Sequence, residues 1–450
     1  MPETMTGGQA VVAALEALEV ECVFGVPSQQ NLALYEALAR SNSIRVIGAR
    51  NEAGAMHAAD GYARATGKLG VAITSTGPGT TNAMTGLYEA GFASSPALLV
   101  TTQIDRVHLG RNRAFIHEAE GQLTMLQSVT RRAERPLHGH QIYETVLRLG
   151  RDIQTGRPQP GAIEIPTDLL GELATFERHA PDPAPRALPA PAAVAQVAAL
   201  LRDARRPIVW LGGGCVRSGD AEAVRRFVEH FGAPVVTTPN GRSALPTDHP
   251  LALGSAPHYP PFRQLLEESD LILAVGTRFQ FVTSAYWTLP LGRNLVQIDI
   301  DGSMIGRNYP ASASLVGDAA ATLDALRQEL LPGAPDPAFL ARARETRAAT
   351  DADTARRAGP DHERLCAIID ELAPTDRNVV CDATMVGNTW GSYRLPVRDF
   401  RGFTYSTSLA IGPALPLAIG AAVGSGRRTI AIHGDGGVML NIGELATAVE

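Results

Sequence analysis

Short apolar runs alternate with helix-length segments along most of this chain, and that alternation leaves few folds open. In the first third, the runs at 20–25, 45–48, 69–75, 97–103 and 161–166 read as strands. Between them, 8–18, 32–39 and 52–66 carry helical spacing of apolar residues. A strand that returns parallel to its predecessor needs a crossover, usually a helix. The pattern therefore predicts an α/β protein built on parallel sheets covered by helices.

The pattern is interrupted twice. Residues 177–191 hold five prolines and read as an extended linker. A second α/β unit follows, with strands expected at 207–211, 234–237, 271–275 and 295–300. A charged, proline- and alanine-containing stretch at about 331–360 joins it to a third unit, with strands near 378–382 and 428–433. Three parallel-sheet domains are thus expected: 1–173, 192–330 and 361–450. With 450 residues and 45% apolar side chains there is enough material for their cores.

The net charge of −6 gives no basic surface for a polyanion, so no nucleic-acid partner is expected. Cys22, Cys215, Cys366 and Cys381 are widely spaced, which suits free thiols in a reducing cytoplasm. The N-terminus lacks a secretory signal pattern, and no apolar run is long enough for a membrane span.

Four turns between strand and helix carry candidate chemistry. At Gly434, Asp435, Gly436 and Gly437, the glycines let backbone approach a diphosphate, and the following helix start offers free N–H groups. Asp435 is suited to one oxygen-ligand position on Mg2+. Glu52 stands where a strand passes into a helix, a place that favours negative charge. Ser75 to Asn82, with Gly77 and Gly79, forms a Gly/Pro turn at a strand's C-terminal end, where such sheets bind ligands. Gln103 ends another strand, and His117 follows in a polar segment. An imidazole there can move protons near neutral pH.

Taken in order, these segments resemble those of the thiamine-diphosphate enzymes of the acetolactate synthase and 2-oxo-acid decarboxylase family. The resemblance runs from about Gly8 to Glu450. It implies a pyrimidine-binding domain, a central domain and a diphosphate-binding domain, with thiamine diphosphate and Mg2+ as cofactors. Glu52 would exchange a proton with N1′ of the aminopyrimidine, and burial would suit that task. Pro27, Gly77, Gly79 and Asn82 would line the pyrimidine pocket, and Ile411 would wedge the cofactor into its bent shape. Gly434 to Gly437 would hold the diphosphate, with Asp435 on the metal. The reaction implied is decarboxylation of a 2-oxo acid with carboligation.

In the family the GDG motif is followed by an Asn-Asn pair, and this sequence ends 14 residues after Gly436. The third domain is therefore expected to be truncated here, without its second metal-binding segment. Sites shared between subunits imply a homodimer or homotetramer.

The sequence departs from the synthase pattern in several places. Ser28 and Gln29 replace small glycines, Ile116 replaces Phe, and His117 replaces Gln at the expected substrate pocket. These changes keep open a simple decarboxylase that releases an aldehyde. The missing segment keeps open a cofactor-incompetent subunit. Arg278 to Phe281 and the 256–260 loop depart from the flavin-binding pattern of synthases, so no FAD is expected.

Overall fold

A computed structural model describes residues 2–181, 186–291 and 294–450. Internal packing divides the chain into two compact units, one formed by Met1–Ala184 with Ser406–Glu450 and the other by Pro185–Tyr405.

The first unit is organised by a six-stranded parallel sheet. Its spatial order is Arg45–Gly48, Cys22–Gly25, Gly70–Thr74, Ala97–Gln103, Gly161–Pro166 and Arg132–Glu134. The four inner strands Cys22–Gly25, Gly70–Thr74, Ala97–Gln103 and Gly161–Pro166 are buried along their whole length. Continuous apolar runs, rather than alternation, are what a sheet covered on both faces requires. One apolar cluster, with Val11, Leu15, Val71, Val100 and Val146, covers one side of the sheet, and a second, with Phe24, Met56, Leu87 and Leu99, covers the other.

The helix Glu52–Thr66 starts at Asn51, whose side chain caps Ala53 N–H, and ends at left-handed Gly67. Helix Ala414–Ser425 packs on it at a separation only glycine permits. A Cβ at Gly61 would sit 2.1 Å from the Leu417 carbonyl oxygen. This contact binds the chain's last segment to its first sheet.

The second unit holds another six-stranded parallel sheet, ordered Ala252–Gly254, Val235–Thr237, Pro207–Leu211, Leu271–Val275, Leu295–Asp299 and Ala313–Val316. The order reverses between Pro207–Leu211 and Leu271–Val275, which is where a doubly wound sheet opens a crevice. Here the turns that follow those two strands meet closely. Gly214 N–H bonds to Gly276 O at 3.0 Å, and a Cβ at Gly212 would meet the same oxygen at 2.2 Å. Strands Arg377–Cys381 and Phe403–Tyr405 form a further parallel pair.

The joining stretch at 331–360 contains an unexpected element, the 22-residue helix Pro337–Ala358. Its buried stripe is Phe339, Ala343, Thr346, Thr350, Thr354 and Ala358. That spacing is helical, but the threonines hide it from a count of apolar residues. Thr350 and Thr354 hydroxyls donate to the carbonyls four residues back at 2.8 and 2.9 Å, so their polarity is met inside the helix.

All four cysteines are free and buried. Among the described residues, no helix is long and apolar enough to cross a membrane.

Candidate active site

Glu52 is the first residue of its helix and is half-buried in the single chain, less than the sequence leads one to expect for an acid that exchanges protons. Asn82 Nδ2 donates to Glu52 Oε2 at 3.0 Å, so two expected site residues meet directly. Glu52 Oε1 lies 3.1 Å from where a Cβ on Gly79 would be. The glycine thus leaves room for the carboxylate over the start of helix Pro78–Ala93.

Gly77 precedes that helix with φ +62°, a conformation that disfavours a side chain. A Cβ there would also approach the His117 carbonyl oxygen to 2.6 Å. The Gly77 turn is therefore packed on the backbone of His117, and Thr76 Oγ1 donates to the same oxygen at 3.3 Å. His117 itself has φ +62°, and its side chain is exposed.

Beneath this turn, Gln122 Oε1 accepts Gly77 N–H at 2.8 Å, while its Nε2 donates to Thr102 O and to Glu164 Oε2. Gln103 Oε1 accepts Ile104 N–H, and its Nε2 donates to Ala119 O. Glu164 is fully buried. Burial pushes its carboxyl above the usual range, and Arg135 and Gln122 offset part of that rise. A cavity of about 270 Å³ opens beside this network, lined by Gln103, Glu118, Ala119, Glu120 and Arg135.

The 26–31 loop is held by Asn31, which is fully buried. Asn31 Oδ1 accepts Ser28 N–H at 2.7 Å, and its Nδ2 donates to Val26 O at 3.1 Å. Pro27 and Gln29 are exposed on that loop, Ser28 is half-buried, and Ile116 is exposed.

Ile411 is 60% exposed on the 406–412 loop, which is pinned along its length. Fully buried Glu89 accepts Thr407 N–H at 2.7 Å and Ser408 N–H at 2.9 Å. Asn441 Nδ2 donates to Gly412 O at 2.9 Å. Arg64 bonds to Glu89 at 2.8 Å and to Asp60. Burial works against the Arg64 charge, but Asp60 and Glu89 outweigh it and hold its pKa above the ordinary value.

Gly434 precedes the helix Asp435–Leu440. Asp435 is exposed, and a Cβ on Gly436 would point into open space.

The site residues fit an aminopyrimidine by one independent sign. The Tyr35 hydroxyl is buried without a hydrogen-bond partner. Burial raises its pKa, and the charge of Glu52 raises it further. A buried donor without a partner, within reach of the Glu52 charge, is free to meet a polar ligand. Among the described residues, no group of three or more His, Cys, Asp or Glu side chains comes together as a metal site. Sequence reading missed Tyr35, Asn31, Glu89, Asn441 and the supporting role of Gln122. Glu89, Asn441 and Gln122 bond backbone far along the chain, which no local motif announces, while Asn31 bonds backbone within its own loop.

The chain belongs to the thiamine pyrophosphate enzyme family. The N-terminal TPP binding domain matches residues 5–126, the central domain 194–326 and the C-terminal TPP binding domain 386–450. Among curated relatives, a probable 2-ketoarginine decarboxylase of Pseudomonas aeruginosa is 35% identical over 100% of this chain and 80% of its own length. A probable acetolactate synthase large subunit of Methanocaldococcus jannaschii is 32% identical over 99% of this chain and 78% of its own. An acetolactate synthase of Mycobacterium avium is 33% identical, over 100% and 74%. These findings agree with the family expected from the motifs.

Proposed function

We propose that this protein decarboxylates a 2-oxo acid with thiamine diphosphate and Mg2+, and that it releases the product as an aldehyde. The observation that carries the reading is Glu52, a carboxylate fixed by Asn82 at the junction of two helix starts, with the unpartnered Tyr35 hydroxyl within reach of its charge. Bound thiamine diphosphate would supply the electron sink for loss of carbon dioxide. Glu52 would hold and return a proton at N1′, and Asn82 would keep its carboxylate oriented. Tyr35 would donate to a polar atom of the same ring. Ile411 would press on the cofactor from its pinned loop, and Asp435 would give one oxygen to the metal. Ser28, Gln29 and Ile116 would face the substrate.

Aldehyde release is favoured by His117, which stands where synthases carry glutamine, with its backbone packed on the Gly77 turn and its side chain exposed. The 2-ketoarginine decarboxylase relative supports the same outcome. Carboligation is the second reading, supported by the synthase relatives that match nearly the whole chain. Product analysis of the full-length enzyme with pyruvate and with longer 2-oxo acids separates the two. Aldehyde as the main product supports the first reading, and a 2-hydroxy ketone or acid supports the second.

The reading includes no flavin, on the departures of Arg278 to Phe281 and the 256–260 loop from the synthase pattern. It also includes at least a dimer. Tyr88 and Phe92 stack, with ring centroids 6.1 Å apart, on the exposed face of the helix that carries Asn82.

Two expected results follow from these roles. His117→Gln should lower turnover and raise the share of ligated product while leaving C2–H exchange of bound cofactor at the wild-type rate. Unchanged turnover and product ratio would make His117 a loop histidine only. Asp435→Ala in the full-length enzyme should weaken thiamine diphosphate and Mg2+ together, by on the order of tenfold or more. Calorimetric titration of each in the presence of the other measures it, and undiminished affinity for both would remove Asp435 from the site.

A further inference from the structure

We propose that Glu444 is the positioning residue for Glu52. It acts from the segment that follows the GDG turn and fixes the strand-to-helix corner on which Glu52 sits. The proposal rests on the reading that Glu52 exchanges a proton with the cofactor.

The Glu444 carboxylate is 2% exposed. Its Oε1 accepts Arg50 N–H at 3.1 Å and Asn51 N–H at 3.0 Å. Thr447 Oγ1 donates to Glu444 Oε2 at 2.7 Å and lies 3.2 Å from Gly48 O, at the end of the preceding strand. One short segment therefore holds the backbone from Gly48 to Asn51, the link that sets where the helix begins.

The helix start itself offers these groups no partner. Arg50 and Asn51 precede the first helical residue, and Asn51 spends its own side chain on Ala53 N–H. Their N–H groups have no intrahelical partner, and the Glu444 carboxylate supplies one for both. A carboxylate also suits the positive end of a 15-residue helix.

Gly54 completes the arrangement. A Cβ there would lie 2.2 Å from Glu444 Oε1, so the carboxylate occupies the space that a side chain would take. Glu52 lies between the residues that Glu444 holds and the residue that makes room for it. Displacing the corner moves the Glu52 carboxylate relative to Asn82 and Gly79 without removing any group that touches substrate. A misplacement of about 1 Å at a reacting group can cost on the order of 10²-fold in rate.

The test uses the full-length enzyme with Glu444→Ala, Glu444→Gln and Gly54→Ala, and Glu329→Gln, exposed in the other unit, as a surface control. Glu444→Gln keeps an oxygen that accepts N–H. Gly54→Ala keeps Glu444 but drives its carboxylate away, so the test survives if Glu444→Ala does not fold. Two quantities are read: amide hydrogen exchange at residues 50–55 without cofactor, and C2–H exchange of bound thiamine diphosphate beside its Kd.

The expected result for Glu444→Ala and Gly54→Ala is faster amide exchange at 50–55 and C2–H exchange slowed about tenfold or more, with Kd changed less than about threefold. Glu444→Gln should restore both to near the control. Native amide protection in both disruptive variants overturns the proposal, as does a wild-type C2–H rate. A loss of affinity as large as the loss of rate also overturns it, because that is general damage.

Failure of the Glu52 reading is distinguishable. In that case Glu52→Gln itself leaves C2–H exchange intact, while the amide effect of Glu444→Ala persists.

Discussion

Glu52→Gln is expected to slow C2–H exchange of bound thiamine diphosphate by roughly 10²-fold or more, the scale of lost acid–base assistance. The substitution is close to isosteric. The glutamine side-chain oxygen can still accept the Asn82 amide that now bonds Glu52 Oε2 at 3.0 Å. Gly79 still leaves room for the side chain. The change therefore isolates proton exchange from packing. Exchange is followed by NMR on acid-quenched samples of the full-length enzyme with saturating cofactor and Mg2+. A rate near wild type would remove Glu52 from cofactor activation and, with it, the main support for the proposed chemistry.

The second large effect is on stability. Glu89→Ala is expected to destabilise the Met1–Ala184 and Ser406–Glu450 unit by about 3–5 kcal/mol, the cost of removing one partner from a buried ion pair. Glu89 and Asp60 are 0% exposed and Arg64 is 7% exposed, so water cannot replace the lost carboxylate. The substitution also strands the Thr407 and Ser408 N–H groups, which hold the Ile411 loop. Glu89→Gln should cost less, since one amide oxygen still accepts.

The measurement has to read this unit directly. All three tryptophans, Trp210, Trp287 and Trp390, lie in the other unit, so their fluorescence does not report on it. Native-state hydrogen exchange in helix Glu52–Thr66 does. Unchanged protection of that helix in Glu89→Ala would show that the ion cluster contributes little.

Both effects trace to where polar residues sit rather than to how many there are. Glu89 and Glu444 lie in helical stretches where a sequence reading takes a glutamate to be solvated. Glu89 meets a segment 318 residues away, and Glu444 meets one 393 residues away. The Pro337–Ala358 helix escaped notice for a related reason. Threonines that bond their own helix backbone are as much at home in a core as alanine, but they read as polar.

Local chemistry alone determined a good deal of this protein. The strands Arg45–Gly48, Ala97–Gln103, Gly161–Pro166, Pro207–Leu211 and Leu271–Val275 and the helix Glu52–Thr66 lie where apolar runs and helical spacing put them. The turns carrying Glu52, Gly77 and Asp435 could be found because strand, glycine and helix start follow one another within a few residues. The tertiary structure alone decided what holds those turns in place. Asn82 reaches Glu52, Gln122 supports Gly77, Glu89 pins the Ile411 loop, and Glu444 anchors the corner beneath Glu52. A side chain's local pattern records the backbone it prefers. Which distant N–H it will meet depends on how helices pack across the sheet, and here a glycine such as Gly61 sets the close helix contact while Gly54 leaves the space that Glu444 fills.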